Sequence, residues 1–253
     1  MDISRLDLKT AAKALYDFLL PRVCAVCGRK LIAEEEHVCF KCLSDMPLTY
    51  FWGRSHHPMS DKFNECLKGV SMDGDAERYA FAAALFYYNS ESEYRRIPWS
   101  LKYGRDISLG RYFSRMLGNR LAGSTLFADV DTVIPVPLHW TRRLKRGYNQ
   151  AEIIAGEVSD TLHATLLAHA LIRTRRTRTQ TKVALETKFS NVSGAFALNR
   201  NHIDTVRKSK HILLIDDTFT TGSTLTACFA ALRREIPTTV RISCATLDYV
   251  KEA

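Results

Sequence analysis

The segment with the clearest chemical content is Ile212-Leu213-Leu214-Ile215-Asp216-Asp217-Thr218-Phe219-Thr220-Thr221-Gly222-Ser223-Thr224. Four apolar residues lead into two adjacent carboxylates. A run of small hydroxyl residues interrupted by one glycine follows, and helical spacing then begins. Strand ends are where open α/β sheets bind ligands. Backbone N–H groups at the start of a helix form a cradle for a phosphate, and Thr and Ser hydroxyls add donors. Gly222 lets the backbone come close to the ligand. Two carboxylates beside a phosphate would repel it, so Asp216 and Asp217 need another task. Hydrogen bonding to sugar hydroxyls is one, and helping to hold a hydrated Mg2+ is another. A capped helix alone would need only one Ser, Thr or Asp, which leaves the acidic pair unexplained.

A second constellation is Cys24-x2-Cys27 and Cys39-x2-Cys42. Each pair can present two thiolates to one ion from a tight turn, and Gly28 permits the backbone such a turn needs. Four sulfurs in two pairs match tetrahedral Zn2+. A closed four-thiolate site has no open coordination position, so the expected role is structural. Two redox CxxC motifs are the rival reading, but the strand–helix context of such a motif is missing. His37, His56 and His57 could serve as alternative ligands; with four thiolates at hand, solvent-facing histidines are expected instead. Cys66 is isolated. Cys228 and Cys244 lie in apolar segments and read as buried small hydrophobes.

These residues must be held by regular elements. Arg5 to Leu20 has helical spacing and stops at Pro21. Tyr50 to Asp75 is rich in Gly, Pro, His and charge and reads as a loop-like connection. Strand and helix patterns then alternate: a strand over 80–88, a helix over 107–121, a short buried strand over 131–137, a helix over 151–167, a core strand over 212–215, a helix over 224–234 and a strand over 240–247. Such alternation argues for an α/β fold with a mainly parallel sheet flanked by helices. The expected division is an N-terminal helix and cysteine module over 1–75 and a larger α/β domain over 76–253.

The chain has 253 residues, 46% of them apolar and 25% charged, ordinary values for a globular protein with a sizeable core. No stretch approaches about 20 consecutive apolar residues, so no membrane insertion is expected. Lys13 and Asp17 interrupt the apolar stretch near the start, which argues against a signal peptide and makes the cytoplasm the expected compartment. The net charge is +9, pointing to an anionic partner. Between Thr141 and Lys188 there are ten Lys or Arg against four Asp or Glu.

The 212–224 segment resembles the phosphoribosyl pyrophosphate (PRPP) signature of type I phosphoribosyltransferases. A phosphate loop of the nucleotide-hydrolase kind would instead end in Gly-Lys-Ser/Thr. The resemblance implies that Asp216 and Asp217 contact the ribose 2′- and 3′-hydroxyls. It implies that Thr218, Thr220, Thr221, Gly222, Ser223 and Thr224 hold the 5-phosphate. The loop Val136-Pro137-Leu138-His139 would take the pyrophosphate, with Arg142, Arg143, Lys145 and Arg146 neutralising it. Arg173 to Lys188 corresponds to the mobile lid of such enzymes. Asn149 and Gln150 head the next helix, either as caps or as substrate contacts.

More of the chain is similar to the ComF family of competence-associated, phosphoribosyltransferase-like proteins. The similarity is carried by Pro135 to Leu138, Arg142 to Glu152, Leu101-Lys102-Tyr103, Thr179-Gln180 and Asn191 to Phe196, together with the four-cysteine module. Two positions depart from that pattern. Gly104-Arg105 stands where the family more often has a basic residue and then glycine, and Trp140-Thr141 replaces a proline common after the Pro-Leu-His stretch.

The resemblance implies a PRPP- and Mg2+-dependent enzyme in which pyrophosphate leaves the ribose through an oxocarbenium-like state and a nitrogen nucleophile attacks. The acceptor would be recognised by the segment around Glu91 to Lys102 or by the cysteine module. A glutamine-dependent amidotransferase is set aside, because Asp2 follows Met1 where that activity needs a cysteine. The rival reading is a non-catalytic protein that handles incoming single-stranded DNA beside a helicase partner. In it, Arg142 to Arg146, the Arg173 to Arg178 cluster and Tyr148 would line a groove.

Overall fold

The computed structural model describes residues 21–68, 77–174 and 194–251. The expected helix at 5–20 and residues 175–188 of the expected lid lie outside them. Seven strands are present among the described residues: β1 (Ala82–Tyr88), β2 (Thr132–Pro135), β3 (Thr165–Leu166), β4 (Leu171–Arg173), β5 (Phe196–Leu198), β6 (His211–Phe219) and β7 (Arg241–Val250). The helices are α1 (Phe40–Ser44), α2 (Pro58–Leu67), α3 (Arg96–Trp99), α4 (Ile107–Ala122), α5 (Trp140–Arg146), α6 (Gln150–Leu162), α7 (Ile203–Arg207) and α8 (Ser223–Arg233).

Five strands form one all-parallel sheet in the order β1-β7-β6-β2-β3, while β4 and β5 pair as a separate antiparallel ribbon. Parallel strands are covered on both faces, so their sequences read as continuous apolar runs. In β6, Ile212 and Leu214 join the core beneath α2 and α8, and Leu213 and Ile215 join the core beneath α4 and α6. Gly118 allows α4 to lie close to α6, since a Cβ there would meet Thr161 at 2.8 Å.

The topology creates a crevice. From β2 the chain passes through α6 to β3 on one side, and from β6 it passes through α8 to β7 on the other. Because β2 and β6 are neighbours, their carboxyl ends diverge at a topological switch point, the usual ligand position in open α/β sheets.

The cysteine module is continuous with this core. Gly28 turns the chain at φ 74° between the bridged residues Val23 and Lys30, and Cys39 is the N-cap of α1. Cys24, Val26, Val38 and Met46 pack in one cluster with Ala83, Leu85 and Phe86 of β1 and Phe113 of α4. Leu48 forms an antiparallel bridge with Phe86, Thr49 N–H donates to Leu85 O, and Tyr87 N–H donates to Pro47 O. The segment therefore covers the outer edge of β1.

Several expectations need correction. The 50–75 stretch is not all loop: Pro58 starts α2, and His57 caps it by accepting from Ser60 N–H. His57 is buried rather than solvent-facing, its Nε2 lies 3.0 Å from Ala82 O, and desolvation pushes its pKa down to about 4. The 151–167 segment divides, because α6 ends at Leu162, His163 turns the chain at φ 53°, and β3 follows. The core strand does not stop at Ile215: β6 pairs with β7 as far as Phe219, so Asp216, Asp217 and Thr218 are strand residues. Arg173 is also a strand residue, facing Phe196 across the β4–β5 ribbon. Cys228 and Cys244 are fully buried, as expected. No helix among the described residues is long and apolar enough to cross a membrane.

Candidate phosphosugar site and four-cysteine centre

The site is built on the switch crevice. On the β6 side, Asp216, Asp217 and Thr218 end the paired strand, Thr220 to Gly222 form the turn, and Ser223 and Thr224 open α8. Gly222 is the N-cap at φ 76°, and no side chain caps the helix. A Cβ at Gly222 would lie 2.9 Å from the Phe219 ring, so the turn excludes other residues on both conformational and steric grounds. Thr221 and Ser223 hydroxyls bond each other at 2.7 Å instead of capping. The first amides of α8 are thus served by no side-chain cap, the arrangement an anion would complete.

On the β2 side, Val136 N–H donates to Ile215 O at 2.8 Å, tying the loop to β6. Buried Asn149 fixes the same residue, its Nδ2 donating to Val136 O at 3.0 Å, and its Oδ1 accepts from Ala151 N–H to cap α6. Pro137 and Leu138 lead to His139, the N-cap of α5. Arg142, Arg143 and Arg146 lie on α5. Arg143 pairs with Glu152 at 3.0 Å, and Arg146 donates to Gln150 Oε1 at 2.9 Å and sits over the Tyr103 ring. Arg142 has a different neighbour. Burial and then the charge of Arg142 lower the pKa of Arg173, while Asp216 acts in the opposite sense. Arg142 of α5 and Arg173 of β4 therefore lie within electrostatic reach of each other, and Arg173 within reach of Asp216.

The acids are not equivalent. Burial raises the pKa of Asp216, and the charge of Asp217 raises it further. Asp217 lies 3.4 Å from Lys102 Nζ. Lys102 also donates to Thr218 Oγ1 at 2.9 Å, and Thr218 Oγ1 donates to Asp248 Oδ2 at 3.1 Å. Burial works against the Lys102 charge, yet Asp217, Asp248 and Asp216 hold its pKa above the ordinary lysine value. Asp248 is fully buried in β7, and its Oδ1 has no hydrogen-bond partner among the described residues. Desolvation pushes its pKa up to about 7.

Asp248 and Lys62 were not singled out from the sequence, and Lys102 was named only within the Leu101-Lys102-Tyr103 stretch and at the end of the Glu91 to Lys102 segment expected to recognise the acceptor. Lys102 stands in a π-helical turn over Ser100–Gly104, a local form that often marks functional positions. That turn is closed by Arg105 at φ 54°, a left-handed position that glycine would occupy without strain. Asp248 was hidden at the end of an apolar strand, where the signal is one acid in an otherwise buried run. Lys62, on the unexpected α2, donates to Thr220 O at 3.3 Å and adds positive charge to the turn.

The cysteine centre fits a metal well. The four sulfurs lie within 4.8 Å of one another, and Cys27 Sγ is 3.8 Å from Cys39 Sγ. Zn–S bonds of about 2.3 Å in a tetrahedron place sulfurs roughly 3.8 Å apart. Cys39 N–H donates to Cys24 Sγ and Cys42 N–H donates to Cys39 Sγ, both at 3.4 Å. The Cys42 amide holds the Cys39 thiol well below its usual range, favouring the thiolate a metal needs. Arg29 and Glu35 pair at 2.6 Å beside the cluster, and Glu35 also accepts from Ile32 and Phe40 N–H. All four cysteines therefore suit a closed structural zinc site.

No family model matches the chain. Over 150 residues it is 31% identical to DNA utilization protein YhgH of Escherichia coli O157:H7, covering 57% of this chain and 63% of that protein. Over 106 residues it is 34% identical to Competence protein F of Haemophilus influenzae, covering 41% of this chain and 44% of that protein. It is 28% identical over 147 residues to DNA utilization protein YhgH of Salmonella typhimurium. The matched stretch thus spans less than two thirds of each of these relatives. The four-cysteine cluster, the helix-flanked parallel sheet and these relatives all agree with the resemblance to the ComF family.

Proposed function

We propose that the chain binds PRPP with Mg2+ in the switch crevice and acts as a phosphoribosyltransferase-like protein in the use of DNA taken up by the cell. The observation that carries the ligand reading is the turn at Gly222. An α-helix without a side-chain cap opens directly beyond two carboxylates at the switch point. The state of the acids supports contact with sugar hydroxyls. Asp216 is biased toward its neutral form and Asp217 is engaged by Lys102, so each can exchange hydrogen bonds with a diol. Arg142 and Arg173 would face the diphosphate, and Mg2+ would neutralise part of its charge. The DNA context rests on what the relatives' names say of them.

Calorimetric titration with PRPP, with and without Mg2+, tests the ligand reading. Affinity should require Mg2+ and fall at least tenfold in Asp217→Asn. Equal affinity in the wild type and in a variant with both Asp216→Asn and Asp217→Asn would sink it. A second reading, a non-catalytic protein for single-stranded DNA, is favoured by α5. There Trp140 and Leu144, 66% and 76% exposed, alternate with Arg142, Arg143 and Lys145. Aromatic and basic residues interleaved on one surface suit stacked bases and phosphates. On that reading, oligonucleotide affinity falls steeply with salt and weakens in Trp140→Ala, while pyrophosphate release from PRPP stays absent.

A further inference from the structure

A cavity of about 700 Å3 opens beside the site, lined by Trp99, Tyr103, Arg95, Arg96, Lys102 and Thr218 among others. Its size is typical of small-molecule sites. Trp99 and Tyr103 border it with large exposed rings, 59% and 62% accessible, whose centroids are 6.0 Å apart at 46°. They do not stack on each other, and one face of the Tyr103 ring is covered by Arg146. Arg95, Arg96 and Lys102 give the wall three positive charges, and no lining residue is acidic. Lys102 is met by Asp217 and Arg96 by Glu93 at 2.7 Å. Arg95 donates to Ser90 O, and among the described residues no carboxylate lies within ion-pair distance of it. Ala25 of the first cysteine turn also lines the cavity. That turn is tied down by Arg96 donating to Val26 O at 3.0 Å and by Tyr94 Oη donating to Cys42 O at 2.7 Å.

From this we infer that the cavity is a second ligand site, taking a small planar heteroaromatic ring that carries a carboxylate. The ring lies against Trp99 and Tyr103, and the carboxylate pairs with Arg95. This deepens the proposed function by naming the chemistry of the acceptor, because the cavity reaches Thr218 and Thr220 at the edge of the phosphosugar crevice. Aromatic faces recognise the ring, and the guanidinium discriminates acid from amide through a charge-assisted bond.

The test uses the full chain with its zinc. Pyridine and pyrimidine carboxylates and their uncharged amides are titrated by calorimetry, in the presence and absence of PRPP and Mg2+. Wild type should bind an acid roughly tenfold more tightly than its amide, as expected for a hydrogen bond to a charged group. Arg95→Gln should abolish that preference, and Trp99→Leu should weaken acid and amide together. Both variants should retain PRPP affinity, since neither side chain belongs to the phosphate turn. Acid and amide binding equally well to wild type would overturn the inference. So would the absence of ring binding in protein that still binds PRPP. Oligodeoxythymidylate affinity that depends on Arg95 and Trp99, with no affinity for free rings, would assign the cavity to nucleic acid and also overturn it. Acid-selective binding without any PRPP binding would support the cavity while sinking the phosphosugar reading.

Discussion

Replacing Asp248 by Asn should stabilise the protein at neutral and alkaline pH, although the residue sits at the heart of the site. Asp248 is fully buried in β7, its Oδ2 accepts from Thr218, and its Oδ1 has no partner among the described residues. Its carboxyl is raised from 3.8 to about 7, chiefly by burial. A raised folded-state value means that the native chain holds a proton that the unfolded chain releases. The associated stability is complete below about pH 4 and is lost as pH rises through 7. Full loss corresponds to about 4 kcal/mol, and roughly 3 kcal/mol of it falls between pH 5 and pH 8. Asn keeps one oxygen for Thr218 and carries no charge, while Lys102 retains Asp217 at 3.4 Å. Urea unfolding of zinc-loaded wild type and Asp248→Asn at pH 5 and pH 8 measures the difference. The variant should gain on wild type by a few kcal/mol over that interval. Parallel pH dependence in the two proteins would refute the assignment of a buried, reluctantly ionised carboxylate.

Two further outcomes follow from local geometry. Gly222→Ala places a Cβ 2.9 Å from the buried Phe219 ring at φ 76°, and should lower stability by about 1–3 kcal/mol in thermal melts; an unchanged melting temperature would show that the turn is not held left-handed. Cys39→Ser removes the thiolate that the three other cysteine sulfurs and the Cys42 amide approach, so metal analysis should fall from about one zinc per chain to near none. Its melting temperature should drop, and a chelator should lower it no further.

Much of this arrangement was legible in the sequence because its signals are local. A four-residue apolar run buried on both faces, a glycine needing positive φ and two CxxC pairs each declare themselves within a few residues. What was hidden depends on pairing across the sheet. The acidic pair read as the end of the strand because charge normally stops one, yet β7 supplies ladder partners as far as Tyr249 and carries β6 on through Asp216 and Asp217 to Phe219. Asp248 matters only because that register sets it opposite Thr218. Lys102 reaches the site from 116 residues away, and no periodicity announces such a contact. The Gly, Pro and His content of residues 50–75 suggested irregular chain, whereas Pro58 at the first helical turn and His57 at the cap are helix-starting residues.

The backbone bonds from Pro47 and Thr49 onto β1 bear on how the chain can be handled. β1 is the outermost strand of the sheet, and its residues are almost wholly apolar. Trimming away the cysteine region would uncover a row of amides and carbonyls flanked by Leu85 and Phe86, a template on which other molecules can add strands. A shortened version of this chain that clumps would therefore be reporting a stripped sheet margin rather than a fault in the crevice between β6 and β2, which begins two strands further in.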